Sequence, residues 1–329
     1  QAVAAPQFDD QVVAHFVAHR APGVVAPGQC GLEGAERGRT GRYGHKFYYD
    51  AVTRRHGVSP PPVFAGGRPL VFGHRGGARI GPENTALAFA RAMAGGADGF
   101  ECDVRLSADG VPVVIHDATL DRTTDASGPV SARTADELAR VDARCRFTPA
   151  EVEFAAPSPV GVPTLREVLA HFTTARLIVE LKDESARLAR LVAALVVELG
   201  ALDRVCVGSF HQPVLDAVRA AVPAVTTSAS RREAQRTLAR SWVRWPLPAR
   251  PVYRAFQVPE RAGRLRVVTP AFVRRVHREH AVVQVWTVDA PGDIRRLLAM
   301  GVDGIISDRP DLAVRARDAF VNGDCPHSG

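Results

Sequence analysis

Two carboxylates stand two residues apart where an apolar run ends: Asp98-Gly99-Phe100 leads into Glu101-Cys102-Asp103. Alternate residues of a strand share a face, so Glu101 and Asp103 point one way and Cys102 the other. Carboxylates that close repel each other unless a positive charge sits between them. A hard cation with oxygen ligands, Mg²⁺ or Ca²⁺, meets that need. Zn²⁺ suits the site less, because the His and Cys ligands it prefers are scarce here. Glu180-Leu181-Lys182 repeats the spacing and adds a third carboxylate and a cation. Alone, that pair reads equally well as a buried ion pair. Lys46 and Lys182 are the two lysines of a chain that otherwise uses Arg, which singles out position 182.

Two histidines approach the same place. Leu70-Val71-Phe72-Gly73 delivers His74-Arg75-Gly76, and the run 111–116 ends on His116. Only Ser107-Ala108-Asp109-Gly110 separates the Glu101 strand from that run. A parallel crossover needs about a dozen residues, so the spacing predicts a hairpin with an Asp-Gly turn signal. A turn centred on Ala108-Asp109 sets Glu101 opposite His116. Histidines arriving from different strands suit a general base and a general acid on opposite sides of one reacting centre. Arg75 and Lys182 supply positive charge for a substrate anion, and the Arg fork matches phosphate. Any one of these residues reads more simply as a surface accident; their convergence does not. Together they describe phosphoryl-transfer chemistry on a phosphate ester.

The elements that must position these groups follow a regular alternation from Arg68 onward. Strands are expected at 70–74, 98–106, 177–182, 204–209, 224–229, 253–258, 282–288 and 303–307. Helices are expected at about 84–95, 164–175, 185–199, 211–222, 231–240, 270–280, 291–300 and 310–320. Such alternation signals a parallel α/β sheet. With 111–116 set aside as a hairpin arm, eight βα units remain, the size of one TIM (β/α)₈ barrel. His74-Arg75-Gly76-Gly77 lacks the G-x-G-x-x-G spacing that an open dinucleotide-binding sheet would want. Barrel chemistry sits at the C-terminal strand ends. In order these ends carry His74 and Arg75, Glu101 and Asp103, Glu180 and Lys182, Ser209 and Phe210, Gln257, Trp286 and Asp289, then Ser307 and Asp308. The 118–162 segment exceeds an ordinary βα loop and is expected as an insertion on that face, after the second strand. Ser241–Arg254, with Trp242 and Trp245, precedes a strand and reads as a structural connection on the opposite face. A Thr164–Glu167 capping box, Pro291 and Pro310 in first turns, and Gly200 and Gly301 as stops mark helix ends.

Composition sets the outer bounds. The chain has 329 residues, of which 46% are hydrophobic and 23% charged, with a net charge of +7. These values fit a soluble globular protein, and no apolar run reaches the length of a membrane span. The positive charge reflects Arg usage, and no nucleic-acid-binding signature accompanies it. Residues 1–66 are rich in Gly and Pro patches and read as a poorly ordered extension of unknown role, with 67–329 as the catalytic barrel. Cys30, Cys102, Cys145, Cys206 and Cys325 show no metal or redox spacing, and Cys102 and Cys206 read as small core residues. This favours a reducing, cytoplasmic setting. The chain begins at Gln1, and residues 1–20 hold no convincing signal peptide.

The ordered motifs resemble one family. His74-Arg75-Gly76, Pro82-Glu83-Asn84-Thr85, Glu101-x-Asp103, Val113-Val114-Ile115-His116-Asp117 and Leu120-Asp121-Arg122-Thr123-Thr124 look like glycerophosphodiester phosphodiesterases. Glu180-x-Lys182, Ser209-Phe210, Trp286-Thr287-Val288 and the stretch Gly301–Pro310 continue the match, which covers about 69–315. The resemblance implies a TIM barrel that hydrolyses glycerophosphodiesters to an alcohol and glycerol 3-phosphate. It implies Glu101, Asp103 and Glu180 as ligands of one divalent cation, and His74 and His116 as the acid/base pair. It makes Arg75 and Lys182 phosphate ligands and Trp286 part of the pocket wall. Asp289 and His211 depart from the family's common residues, which leaves the leaving-group preference open. A phospholipase D-like enzyme acting on lysophospholipid or sphingomyelin is the neighbouring alternative. A non-catalytic anion-binding barrel is the alternative of another class.

Overall fold

The computed structural model describes residues 60–148, 159–242 and 251–323. Its strands are β1 (Leu70–Gly73), β2 (Gly99–Leu106), β3 (Pro112–Val114), β4 (Arg176–Leu181), β5 (Val205–Gly208), β6 (Thr226–Thr227), β7 (Ala255–Pro259), β8 (Arg261–Ala262), β9 (Leu265–Arg266), β10 (Val282–Trp286) and β11 (Gly304–Ser307). The order β6-β5-β4-β2-β1-β11-β10-β7 is parallel throughout. A Ser228–Ala255 bridge joins the two ends, with Ala229 N donating to Ala255 O at 2.7 Å. The chain is therefore a closed, eight-stranded parallel barrel, as its alternating pattern predicts. The expected strand at 224–229 is reduced to two residues, so that bridge makes most of the closure.

Strand parity sorts the side chains. Leu70, Phe72, Ile178, Cys206, Ala255, Val282 and Ile306 fill the barrel interior. The alternate residues Val71, Cys102, Val104, Val179 and Val207 pack outward against the helix ring. Val63 and Phe64, from the short turn Pro62–Phe64, join the interior cluster, and Phe64 meets Phe72 edge to face. Thus the last of the stretch expected as an extension plugs the barrel; its residues 1–59 lie outside the described set. Burying a Phe in such a layer contributes about 1.5–3 kcal/mol.

Helix boundaries follow their local signals. Thr164 and Glu167 form a reciprocal capping box at the start of Leu165–His171. Pro291 and Pro310 open their helices, and Gly200 and Gly301 take positive φ just past helix ends. The insertion after β2 keeps a small core of its own, in which Leu120, Val130, Leu138 and Val162 pack on Val113 and Ile115. Trp242 ends the helix Arg231–Trp242 exposed to solvent; Trp245 lies outside the described residues. Among the described residues no helix is long and apolar enough to cross a membrane.

The β2–β3 hairpin differs from expectation by one residue. Arg105 pairs with Val113, so Ile115 N donates to Asp103 O, and Glu101 does not face His116. The loop is longer than the turn signal suggests. Ser107 Oγ accepts from Val111 N at 2.9 Å, and Gly110 adopts φ 77°, which lets a fifth residue enter the turn. β3 ends at Val114, and His116 reaches the site from the segment that follows.

Candidate active site

The first strand ends in a tight turn, His74–Gly76, in which Arg75 and Gly76 have φ of 51° and 85°. A Cβ on Gly76 would sit 2.7 Å from Phe89 Cδ1 and 2.8 Å from Ala88 Cβ, so only glycine fits. Left-handed backbone is unfavourable for Arg. Here it aims the Arg75 N–H at Glu101 Oε2, 2.9 Å away. His74 is turned so that Nδ1 lies 2.7 Å from Asp308 Oδ1, at the end of β11.

β2 and β4 pair with Asp103 level with Glu180. Strand parity then brings Glu101, Asp103 and Glu180 together, with one oxygen of each inside a 4.8 Å cluster. Asn84, held at φ 59°, clamps Asp103: its Nδ2 donates to Oδ2 at 2.8 Å, and its Oδ1 accepts from Asp103 N at 3.1 Å. Lys182 Nζ stands 3.0 Å from both Asp103 Oδ1 and Glu180 Oε1. Arg75 Nε is 3.4 Å from Asp103 Oδ2, an ion pair without an aligned hydrogen bond.

These residues fit a divalent cation. Glu101 Oε1 is buried with no hydrogen-bond partner, a costly state for a carboxylate oxygen. Burial first, and the Asp103 charge second, raise the Glu101 pKa. Burial also opposes ionisation of Asp103, but Lys182 and Arg75 outweigh it and lower that pKa. A carboxylate driven toward its neutral form beside an ionised one is relieved by an added positive charge, and three oxygens suit a hard ion.

The second histidine sits in a chain of charged groups. His116 Nδ1 is 2.6 Å from Asp117 Oδ1. Arg122 donates to both oxygens of Asp117 and to both oxygens of Glu83. Glu83 Oε1 also accepts from Arg75 Nη1 at 2.9 Å. Paired with two carboxylates, Arg122 is held firmly charged, and it keeps Asp117 well below the usual carboxylate range.

The two histidines are biased in opposite directions. Burial disfavours the charged form of His74, but the Asp308 hydrogen bond and the Glu101 charge outweigh it and raise the pKa. At His116 burial prevails over Asp103 and Asp117, with help from Arg75 and Lys182, and the pKa is lowered.

His74, Arg75, Glu101, His116, Glu180, Lys182 and Trp286 line one open cavity at the C-terminal strand ends, with Asp103 buried beneath it. Every residue to which the sequence assigned a catalytic, metal or substrate role therefore lies at or directly beneath this cavity. Trp286 meets Phe210 edge to face at 6.2 Å, and Lys182 Nζ lies 5.9 Å from the Phe210 ring centre. Asp289 accepts from Ser307 Oγ and Asp308 N, which fixes the strand end that presents Asp308. Sequence reasoning assigned no role to Glu83, Asn84, Asp117 and Arg122, although all lie inside recognised motifs. It placed Asp308 at a strand end without a partner.

Comparison with known proteins agrees with this geometry. The model of the glycerophosphoryl diester phosphodiesterase family matches residues 74–312. A glycerophosphodiester phosphodiesterase of Bacillus altitudinis is 34% identical over 260 residues, spanning 75% of this chain and 98% of that protein. One from Caldanaerobacter subterraneus is 32% identical over 252 residues, spanning 74% and 96%. The crystal structure of the Agrobacterium tumefaciens glycerophosphodiester phosphodiesterase superposes with a TM-score of 0.61 at 29% identity, covering 75% of this chain and 99% of that one. The barrel, its strand-end cluster and these relatives together establish that the chain belongs to the glycerophosphoryl diester phosphodiesterase family.

Proposed function

We propose that this glycerophosphodiester phosphodiesterase releases an alcohol and glycerol 3-phosphate by acid/base catalysis between His74 and His116. One divalent cation, Mg²⁺ or Ca²⁺, is held by Glu101, Asp103 and Glu180. The observation that carries the reading is the pair of histidines lining one cavity with opposite proton preferences. A cation bound there supplies charge neutralisation and polarisation of the phosphate. Arg75 and Lys182 bind the phosphate oxygens, and Trp286 walls the organic part of the substrate. Asp117 and Asp308 each accept from a histidine Nδ1–H, so the other ring nitrogen is directed to substrate. His116, neutral near pH 7, takes the proton of the attacking hydroxyl. His74, its pKa raised by Asp308 and Glu101, keeps its proton to higher pH than His116 and delivers it to the departing alkoxide.

The charged side chains that line the cavity, His74, Arg75, Glu101, His116, Glu180 and Lys182, favour this reading over a lipid-chain channel of the phospholipase D-like kind. The free thiols of buried Cys102 and Cys206 suit a reducing, cytoplasmic setting. Incubation with glycerophosphocholine, with and without EDTA, tests the assignment. Cation-dependent release of choline and glycerol 3-phosphate supports it. Release of phosphocholine would assign the cleavage to the wrong bond. Binding without turnover would leave an anion-binding barrel.

A further inference from the structure

The rim of the cavity is asymmetric in charge. β7 ends at Pro259, level with Trp286 of the cavity wall. The chain then forms the β8–β9 hairpin, anchored by Val267 N and Val268 N donating to Glu260 O. That hairpin carries Arg261, Arg264 and Arg266, all exposed. In the preceding βα loop, Ser228 and Ala229 line the cavity, and exposed Arg231 and Arg232 follow directly. The nearby acids are already engaged: Glu260 with Arg296, Glu233 with Arg219, and Glu184 with His211. Among the described residues no carboxylate lies in ion-pair reach of these rim arginines. Two successive βα connections, those after β6 and β7, thus carry uncompensated guanidinium groups on the face where the cavity opens, outside the residues that line it.

The aromatic pair on that wall already has a cation beside it. A quaternary ammonium would need an open aromatic face. Lys182 Nζ already stands over the Phe210 ring, and Trp286 meets that ring edge to face.

We propose that the enzyme prefers glycerophosphodiesters whose leaving alcohol carries a further phosphate, recognised by Arg261, Arg264 and Arg266 with Arg231 and Arg232. This rests on the catalytic reading above and adds the substrate class. Guanidinium forks match phosphate oxygens, and a charged rim raises the local concentration of an anionic substrate.

The test compares kcat/KM for three substrates: glycerophosphocholine, glycerophosphoglycerol, and bis(glycerophospho)glycerol, whose leaving alcohol bears a second phosphodiester. The last is expected to exceed the first by about tenfold or more at low salt, with the advantage shrinking as ionic strength rises. In the triple variant Arg261→Ser, Arg264→Ser, Arg266→Ser the advantage disappears, and residual turnover of glycerophosphocholine shows that the variant folds. Equal kcat/KM across the three wild-type substrates, or an advantage that survives the triple variant, overturns the proposal. No turnover of any substrate by the wild type would instead overturn the catalytic reading.

Discussion

Arg122 grips the carboxylate that holds His116: Nε lies 2.7 Å from Asp117 Oδ2, and Nη2 lies 3.0 Å from Oδ1. Its two terminal nitrogens also donate to Glu83, each at 2.7 Å, and Glu83 accepts from Arg75. One guanidinium thereby links His116, through Asp117, to Arg75, through Glu83. Groups that orient first-contact residues commonly matter by 10–100-fold. Arg122→Ala is expected to lower kcat by about that factor, with a smaller change in KM. The single nitrogen of lysine cannot pair bidentately with both carboxylates as the guanidinium does, so Arg122→Lys stays impaired. Guanidinium added to Arg122→Ala restores part of the rate. A Lys variant with wild-type kcat would show that charge alone suffices.

The histidine biases fix a pH profile. His116 has a lowered pKa and is neutral once the pH exceeds that value; His74 has a raised pKa and keeps its proton until a higher pH. The working state needs both conditions. The rate therefore rises as His116 deprotonates and falls as His74 deprotonates, giving a bell. His116→Ala should lose about 10²–10⁴ in kcat while still binding substrate. A flat profile with near-normal turnover in that variant excludes the base role.

Asp308 is expected to set the alkaline side of that bell. It is the hydrogen-bond partner that raises the His74 pKa against burial. A cation bound at Glu101 would cancel that carboxylate's contribution and leave Asp308 as the main support. Asp308→Asn should move the alkaline limb to lower pH and leave the acid limb in place. Movement of the acid limb instead would exchange the roles of the two histidines.

The carboxylate cluster predicts graded effects on cation binding. Asn84→Ala removes the two hydrogen bonds that Asn84 makes to Asp103 and should weaken binding by about 10–100-fold. Asp103→Asn removes an anionic ligand and should weaken it further. Titration calorimetry with Mg²⁺ and Ca²⁺ on metal-free protein reads both. Unchanged affinity in Asp103→Asn, or full activity of that variant in EDTA, sinks the assignment.

The parts of the site legible from sequence are those written in strand periodicity. Glu101 with Asp103, and Glu180 with Lys182, follow from alternation along β2 and β4. The barrel follows from alternating strand and helix signals. What escaped was the orientation of those side chains, because the orienting groups come from turns. Arg75 and Asn84 occupy left-handed backbone that no periodicity announces. Asp308 meets His74 across more than two hundred residues, a pairing that only the closed barrel creates. The hairpin register slipped because Gly110 admits a fifth loop residue, which the Asp-Gly signal alone does not reveal.

The identity of the nucleophile is the sharpest remaining test. A glycerol hydroxyl next to the esterified carbon is already held beside phosphorus, and proximity of that kind replaces much of the entropy lost in capturing water. In this route His116 takes the proton of the vicinal hydroxyl as its oxygen bonds to phosphorus. The bond from phosphorus to the alcohol oxygen breaks, and His74 protonates the departing alkoxide. A cyclic glycerol phosphate remains, which water opens with the histidine roles reversed. Direct attack by water uses the same residues but needs no vicinal hydroxyl. The routes separate on a propanediol phosphodiester that lacks that hydroxyl. Internal attack predicts almost no hydrolysis of this analogue, even when it competes well for the cavity, and a cyclic phosphate detectable by phosphorus NMR in rapid-quench samples of the normal reaction. Turnover of the analogue comparable to that of glycerophosphocholine rules out the cyclic route and makes water the nucleophile.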